Sequence, residues 1–108
     1  MIIYSVNITV DRRVEDEWLE WMQQVHVPQV VRTGCFIDAR ISKILDGAGE
    51  EASYVIQYQC RSFADYDRYR ENFAAALQKD HTDRFAGHFR ASRQLLEELA
   101  KLESAQES

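Results

Sequence analysis

In four stretches of the chain, side chains of two kinds take alternate positions, one set mostly apolar and the other more polar, as in half-buried β-strands. The stretches are residues 2–10, 35–45, 52–60 and 88–96. In the first stretch the alternation predicts one apolar face, made of Ile2, Tyr4, Val6, Ile8 and Val10. Residues 46–49 contain two glycines between the second and third stretches, and they predict a tight turn.

The stretch from 14 to 34 predicts a first helix, a break within it and its end. An apolar stripe at three- and four-residue spacing consists of Val14, Trp18, Trp21, Met22 and Val25. Pro28 has no N–H, and its ring clashes with the carbonyl four residues earlier, so we expect the helix to kink or restart at 27–28. Gly34 can adopt the left-handed conformation that ends a helix.

Ser62 and Asp65 resemble a capping box and predict the start of a second helix, which Gly87 ends. One face of this helix consists of Phe63, Tyr66, Tyr69, Arg70, Phe73, Leu77, His81 and Phe85. The order β-α-β-β-α-β predicts an α+β, ferredoxin-like fold, with two helices on one face of an antiparallel four-stranded sheet. We expect a single domain over residues 1–98 and a polar tail over 99–108.

His26 lies at the predicted helix break and is the most suggestive chemical residue. Carbonyls left unpaired at the break would favour the charged imidazole, which could cap the helix. Alternatively, His26 serves as a general acid or base or contacts a substrate. The antiparallel helices are expected to hold His26 and His81 roughly 15 Å apart. That separation argues against a two-histidine metal site.

The topology predicts what meets at each end of the sheet. One edge is expected to gather Arg12, His81, Arg84 and His88. A symmetric turn at 46–49 places Cys35 opposite Cys60, so the pair forms either a cross-strand disulfide or two buried thiols. Two cysteines without a secretion signal indicate a reducing cytoplasm, which favours thiols.

The sheet face away from the helices is predicted to mix apolar and polar side chains. The same register places Asp38 opposite Gln57 and Arg40 opposite Val55. Such a face is too polar for a core and fits a homodimer interface. The residues predicted to form this interface are Asn7, Phe36, Asp38, Arg40 and Gln57.

The helix-facing side of the sheet is rich in aromatic residues, which either fill the core or surround a cavity. A cavity with His26 at its mouth would bind a small aromatic or acyl ligand. The predicted ligand-binding residues are Tyr4, Trp18, Trp21 and Tyr54. In an enzyme without metal or cofactor, His26 would move a proton, and Tyr58 or Tyr4 would donate to a carbonyl. A filled interior would remove the enzymatic hypothesis. A third alternative is a structural or regulatory dimer in which His26 affects stability alone.

The composition and charge of the chain limit the kinds of partner that we expect. A chain of 108 residues with 45% hydrophobic side chains can fold as one domain without disulfides or metals. The net charge is −5, and apart from Arg12 and Arg13 no basic cluster occurs, which argues against nucleic acid. The start MIIYSVNITV alternates and lacks a basic region, so it predicts neither a signal peptide nor a membrane span. We therefore expect a cytoplasmic protein.

Several segments together resemble an uncharacterised bacterial family, domain of unknown function 4286. They are MIIYSVNITV, EWLEWMQQVHVPQVVRTG, DARI, YVIQYQC and ALQKDHTDRFAGHFRASRQLLEE. The resemblance covers about residues 1 to 98, and Cys35 departs from the polar residue expected there. More broadly, the element order and the histidine-x-proline at 26–28 are similar to the dimeric α/β-barrel proteins. These include EthD-like proteins, stress-responsive dimeric barrels and antibiotic-biosynthesis monooxygenases. The resemblance implies two sheets paired face to face and cofactor-independent chemistry on aromatic or polyketide substrates.

Overall fold

The computed structural model describes residues 1–47 and 49–105 and confirms the α+β, ferredoxin-like fold. The strands are β1 (Ile2–Asp11), β2 (Asp38–Lys43), β3 (Glu51–Cys60) and β4 (Phe89–Glu97). They form one sheet in the order β2-β3-β1-β4, with every neighbouring pair antiparallel. Ala48 of the predicted turn and residues 106–108 of the predicted tail lie outside the described residues.

One face of the sheet forms the core with the helices. The central strands contribute the buried side chains of Tyr4, Val6, Ile8, Val10, Tyr54, Ile56 and Tyr58. Tyr4 lies opposite Tyr58, and Val6 lies opposite Ile56. Because side chains alternate along a strand, a slip of one residue would turn this entire set toward solvent. The period of two in the sequence therefore fixes which residues enter the core.

The first helical segment is not one continuous helix. After a 3₁₀ turn at Arg12–Val14 come α1 (Glu15–Trp21), a π-helical turn (Met22–His26) and α2 (Val27–Val31). In the π-turn the Val27 N–H bonds to the carbonyl of Met22, five residues back. Pro28 then stands in the first turn of α2, where a missing N–H breaks no helical bond. The predicted break is therefore present, and it takes the form of a π-turn before the proline.

Glu15, the first residue of α1, ties this segment to the sheet. Its carboxylate is buried, accepts a hydrogen bond of 2.6 Å from the Tyr54 hydroxyl and lies 2.9 Å from Lys43 Nζ. The Tyr54 hydroxyl and then the Lys43 ammonium lower the pKa of this carboxyl below its usual range. Burial, followed by the hydrogen bond to Glu15, raises the pKa of Tyr54, so the phenol stays protonated and donates. The start of α1 is thus held by one charged network.

The second helical segment also divides in two, at Phe73. The single helix predicted between Ser62 and Gly87 is α3 (Phe63–Asn72) followed by α4 (Ala74–Phe85). Phe73 lies between them with φ −129° and ψ −32°, outside the helical region. The predicted cap is present, because the Ser62 hydroxyl accepts from the Asp65 N–H at 3.2 Å.

The predicted register between β2 and β3 is wrong by two residues. Asp38 pairs with Gln59 and Arg40 pairs with Gln57. The Ile37 N–H donates to the Gln59 carbonyl at 2.7 Å, so Cys35 does not face Cys60 across the hairpin. Both cysteines are buried free thiols. The pairing is centred one residue later in the chain than predicted, so every partner moves by two residues.

The predicted position of Phe36, on the sheet face away from the helices, is wrong. Its side chain is 6% exposed and packs in the core, with ring centroids 5.2 Å from Tyr58 and 4.9 Å from Tyr69. The cause is that β2 begins at Asp38, so the alternation of the strand does not extend back to Phe36. The other predicted interface residues, Asn7, Asp38, Arg40 and Gln57, lie on the face away from the helices.

No helix among the described residues is long and apolar enough to cross a membrane.

Candidate functional site

The π-turn decides which residue of the first helical segment faces the core. The predicted stripe continued from Met22 to Val25, but Val25 is 36% exposed and His26 is 8% exposed. A π-turn contains one residue more than an α-turn, so it shifts the buried stripe by one position. His26 consequently lies inside the protein, between the helices and the sheet.

His26 is surrounded by rings and stays neutral. Its ring stacks on Trp21 at 5.0 Å between centroids, with 25° between the planes, and lies 5.6 Å from the ring of His81. Burial lowers its pKa to about 4, although nearby Asp80 works in the opposite direction. The expectation of a charged, helix-capping imidazole is therefore wrong, because the π-turn places the ring in an apolar environment.

The predicted separation of roughly 15 Å between the two histidines is also wrong. That value assumed straight helices with each histidine displaced toward its own helix end. In the structure the π-turn and the break at Phe73 bring His26 and His81 into contact. Even so, the described residues contain no group of three His, Cys, Asp or Glu side chains placed to hold a metal ion.

His81 is fixed by a buried hydrogen bond. Trp18 Nε1–H donates to His81 Nε2 at 2.9 Å. An accepting Nε2 carries no proton, so the proton of the neutral imidazole is on Nδ1. Burial, followed by the neighbouring His26, lowers the pKa of His81 to about 4. This bond holds α1 against α4 and sets the position of the ring beside His26.

His81 does not join the edge cluster predicted for it. Arg12 and His88 line an open cleft of about 950 Å³ at the end of β1, whereas His81 is buried and Arg84 lies over the Trp21 ring at 4.9 Å. The charges of this cleft are largely paired within the protein, for example Arg90 with Glu51 at 2.9 Å. The cleft is consequently not the best candidate for a ligand site.

A small cavity lies between the sheet and the helices, and His26 forms part of its wall. Its volume is about 30 Å³. The predicted residues Tyr4 and Tyr58 also line it. The predicted residues Trp18, Trp21 and Tyr54 are buried outside its lining. The interior is thus largely filled by aromatic side chains, and in this conformation the cavity does not enclose an aromatic ligand.

One polar atom on this wall has no partner in the protein. Among the side chains of the described residues, His26 Nδ1 is the buried nitrogen or oxygen atom without a hydrogen bond. Such atoms are rare in folded proteins, because leaving one unpaired costs about 1 to 3 kcal/mol. The atom is therefore available to a group that enters the cavity.

Three further residues of the cavity were missed at the sequence level. Tyr69 and Gln78 reach it from the helices and Arg93 from β4. Gln78 Nε2 is 3.5 Å from the Tyr4 hydroxyl. The signal for Arg93 was its alternation with Phe89 and Ala91 on the helix-facing side of the fourth strand. A charged residue on the core side of an edge strand departs from the pattern, and such departures are typical of functional sites.

Comparison with known proteins identifies the family. The family model described as "Domain of unknown function (DUF4286)" matches residues 1–99. The chain belongs to this family. This membership confirms the resemblance based on the HVP, QYQC and HTDRF segments, and the family description assigns no activity. No curated protein matches the chain.

Solved structures of distant proteins share the fold. HapK from Hahella chejuensis has a TM-score of 0.70 at 16% identity, covering 98% of this chain and 100% of its own. A dimeric ferredoxin-like protein from an uncultured marine organism has a TM-score of 0.69 at 12% identity, covering 96% and 100%. SnoaB, a cofactor-independent oxygenase from Streptomyces nogalater, has a TM-score of 0.65 at 10% identity, covering 95% and 98%. At these identities the likeness shows the fold alone.

Proposed function

We propose that this protein binds the acyl or carbonyl end of a small molecule in the cavity beside His26. The observation that carries this proposal is the buried, unpartnered Nδ1 of His26 on the cavity wall. A neutral imidazole nitrogen donates or accepts one hydrogen bond. The hydroxyl groups of Tyr4 and Tyr58 add donors to the same cavity, because burial raises the pKa of each phenol.

The size of the cavity limits what enters it. A cavity of about 30 Å³ has room for roughly one or two water molecules, so it accepts the oxygen-bearing end of a ligand and not a ring. The rest of the molecule must extend outward. Among the lining residues Arg93 is exposed and Gln78 is half-buried, so the opening lies between α4 and β4.

The protonation state of His26 favours binding over catalysis. A general base works best when its pKa lies near the working pH, and a pKa of about 4 makes His26 a weak base at pH 7. A cofactor-independent monooxygenase, cyclase or isomerase would need a ligand that raises this pKa. Hydrogen bonding to a carbonyl or carboxyl oxygen needs no such change, so binding is the function that the geometry supports best.

The test is a ligand titration followed by NMR of ¹⁵N-labelled histidine side chains. The panel consists of matched carboxylates and amides: acetate and acetamide, and benzoate and benzamide. We expect at least one member to shift the His26 imidazole signals in a saturable manner. The variant His26→Gln, followed through the signals of the neighbouring His81 ring, should weaken binding at least tenfold. His88→Gln, followed through His26, should bind normally, because His88 lies outside the cavity.

Two results would contradict the proposal. In the first, no panel member moves the His26 signals. In the second, a crystal structure shows one ordered water bonded to His26 Nδ1, and this water stays in place at a saturating concentration of each panel compound. Either result would mean that the unpartnered atom is satisfied by solvent.

We also propose that the protein is a homodimer that associates through the sheet face away from the helices. That face carries Asn7 opposite Val55 and Arg40 opposite Gln57, a mixture of apolar and polar groups typical of dimer interfaces. A structural neighbour described as dimeric supports the proposal. Sedimentation should give twice the chain mass of 12.6 kDa. Val55→Lys should yield monomers and Thr82→Lys on the helical surface should not. Dimers of Val55→Lys would show that another surface is used.

A further inference from the structure

The cavity faces a cation without an acidic partner. Arg93 lies opposite Val6 in the β1–β4 pairing, so its side chain is on the helix-facing side of the sheet. Within residues 1–47 and 49–105 it forms no ion pair, whereas Arg90, three residues earlier, pairs with Glu51. Arg90 lies on the opposite face of the same strand. Arg93 thus lies on the helix-facing side of β4 without an ion-pair partner in the described residues, whereas Arg90 lies on the other side and pairs with Glu51.

The electrostatic effect of Arg93 reaches the inner wall of the cavity. Burial raises the pKa of Tyr4, and the Arg93 charge works against this rise. Burial also lowers the pKa of His26. The Asp80 charge acts against this lowering, and the Arg93 charge, with a smaller effect than Asp80, adds to it. Tyr4, His26 and Arg93 line the same cavity. The cavity therefore has one positive side chain near its opening and neutral donors inside.

No acidic side chain of the part of the chain that the structure describes lines this cavity. Its polar members are Tyr4, Tyr58, Tyr69, Gln78, His26, His81 and Arg93. Asp80 on α4 is close enough to raise the pKa of His26, but it is exposed and is not part of the lining. A site with a cation and several donors, and without an acidic side chain, suits an anion better than a neutral ligand.

We propose that the ligand is a carboxylic acid bound as its anion, with Arg93 as the residue that selects the charge. The inference depends on the binding function proposed above, and it names the class of ligand. One carboxylate oxygen enters the cavity and accepts from His26 Nδ1–H. The guanidinium of Arg93 at the opening pairs with the carboxylate, since its planar donors match that group. The remainder of the acid extends between α4 and β4.

The test uses the same panel of acids and amides with the complete protein. For wild type we expect benzoate and acetate to bind at least tenfold more tightly than benzamide and acetamide. Arg93→Gln should reduce this preference to about twofold or less by weakening the acids and leaving the amides unchanged. Arg90→Gln is the matched control and should keep the full preference. Urea unfolding of both variants shows whether either change alters the fold.

The outcomes separate this inference from the binding function. If acids and amides shift the His26 signals with equal affinity, or if Arg93→Gln keeps the preference for acids, the assignment of a carboxylate is wrong and binding at His26 stands. If neither class shifts the His26 signals, the binding function itself is wrong. If acids bind as strongly in 500 mM salt as in 50 mM salt, the contact is not the exposed ion pair proposed for Arg93.

Discussion

The hydrogen bond between Tyr54 and Glu15 should be a main support of the segment that carries His26. The bond is 2.6 Å long, joins β3 to the first residue of α1, and has a buried carboxylate as acceptor. Tyr54→Phe removes the hydroxyl and retains the ring. We expect this variant to be less stable, because the carboxylate loses its shortest contact.

The magnitude follows from the charge of the acceptor. A hydrogen bond to a charged group contributes about 1.5 to 3 kcal/mol to folding. For a chain of 108 residues, an unfolding entropy of about 2.1 cal/mol/K per residue converts each kcal/mol into roughly 4 °C. We therefore expect the melting temperature of Tyr54→Phe to fall by about 6 to 12 °C. Tyr66→Phe is the control, since the half-buried Tyr66 hydroxyl has no hydrogen-bond partner among the described residues.

The pH dependence gives a second signature. The Tyr54 hydroxyl, followed by Lys43, lowers the pKa of Glu15 in the folded protein. The stabilisation by the ionised Glu15 is therefore present above the unfolded-state pKa of about 4.3, and it is lost as the pH falls toward the lower pKa of the folded state. The free energy of unfolding in urea should show the full difference between wild type and Tyr54→Phe at pH 7. This difference should become smaller below about pH 4.

A double-mutant cycle with Glu15→Gln isolates the pair. We expect a coupling free energy of at least about 1 kcal/mol. If the two effects add to within about 0.5 kcal/mol, or if the effect of Tyr54→Phe is the same at pH 7 and pH 3, the reasoning is refuted. An equal loss in Tyr66→Phe would also refute it.

Three further predictions follow from buried groups and backbone conformation. The pKa values of His26 and His81 are lowered to about 4 in the folded protein, so between about pH 6.5 and 4 these histidines bind protons in the unfolded chain and not in the folded one. The free energy of unfolding in urea should therefore fall as the pH drops through this range. A constant stability over that range would contradict the assigned protonation states. Trp18→Phe leaves the His81 acceptor unpaired and should cost about 1 to 3 kcal/mol by the same assay, and a cost below 0.5 kcal/mol would mean that the bond contributes little. Gly34→Ala should lose about 1 kcal/mol in thermal unfolding because Gly34 has φ +84°, whereas Gly47→Ala, at a position without a left-handed backbone, should change stability little. Equal effects would show that the backbone conformation is not the cause.

The sheet could be predicted from the sequence because its signal is local. The alternation of Tyr4, Val6 and Ile8 is decided by the strand geometry, and each of these side chains enters the core as predicted. The β2–β3 register could not be predicted in this way, because it depends on the conformation of a loop that composition does not specify. Phe36 illustrates the same limit, since the start of β2 two residues later decided its side.

The sequence predicts that His26 lies at a break in the helix, but it does not predict the position of the ring. His26 was recognised because a proline two residues later requires a break in the helix. The form of that break was not predictable, because a kink, a restart and a π-turn all satisfy a missing N–H. The choice of a π-turn buries His26 in place of Val25 and brings it to His81. Arg93 was missed because a single charged residue in a strand is usually solvated.

The same geometry predicts a conflict between stability and binding at position 26. A buried, unpartnered Nδ1 costs about 1 to 3 kcal/mol, whereas the stacking of the ring on Trp21 contributes about 0.5 to 1.5 kcal/mol. His26→Leu removes the polar atom at similar volume and should therefore raise the free energy of unfolding at pH 7 by about 1 kcal/mol while abolishing ligand binding. Urea unfolding measures the first effect, and an NMR titration that follows the neighbouring His81 imidazole measures the second. A structural histidine predicts the opposite sign, a loss of stability in His26→Leu, because its contacts would all be favourable. The sign of this single change therefore decides whether the protein maintains the imidazole for its fold or for a ligand.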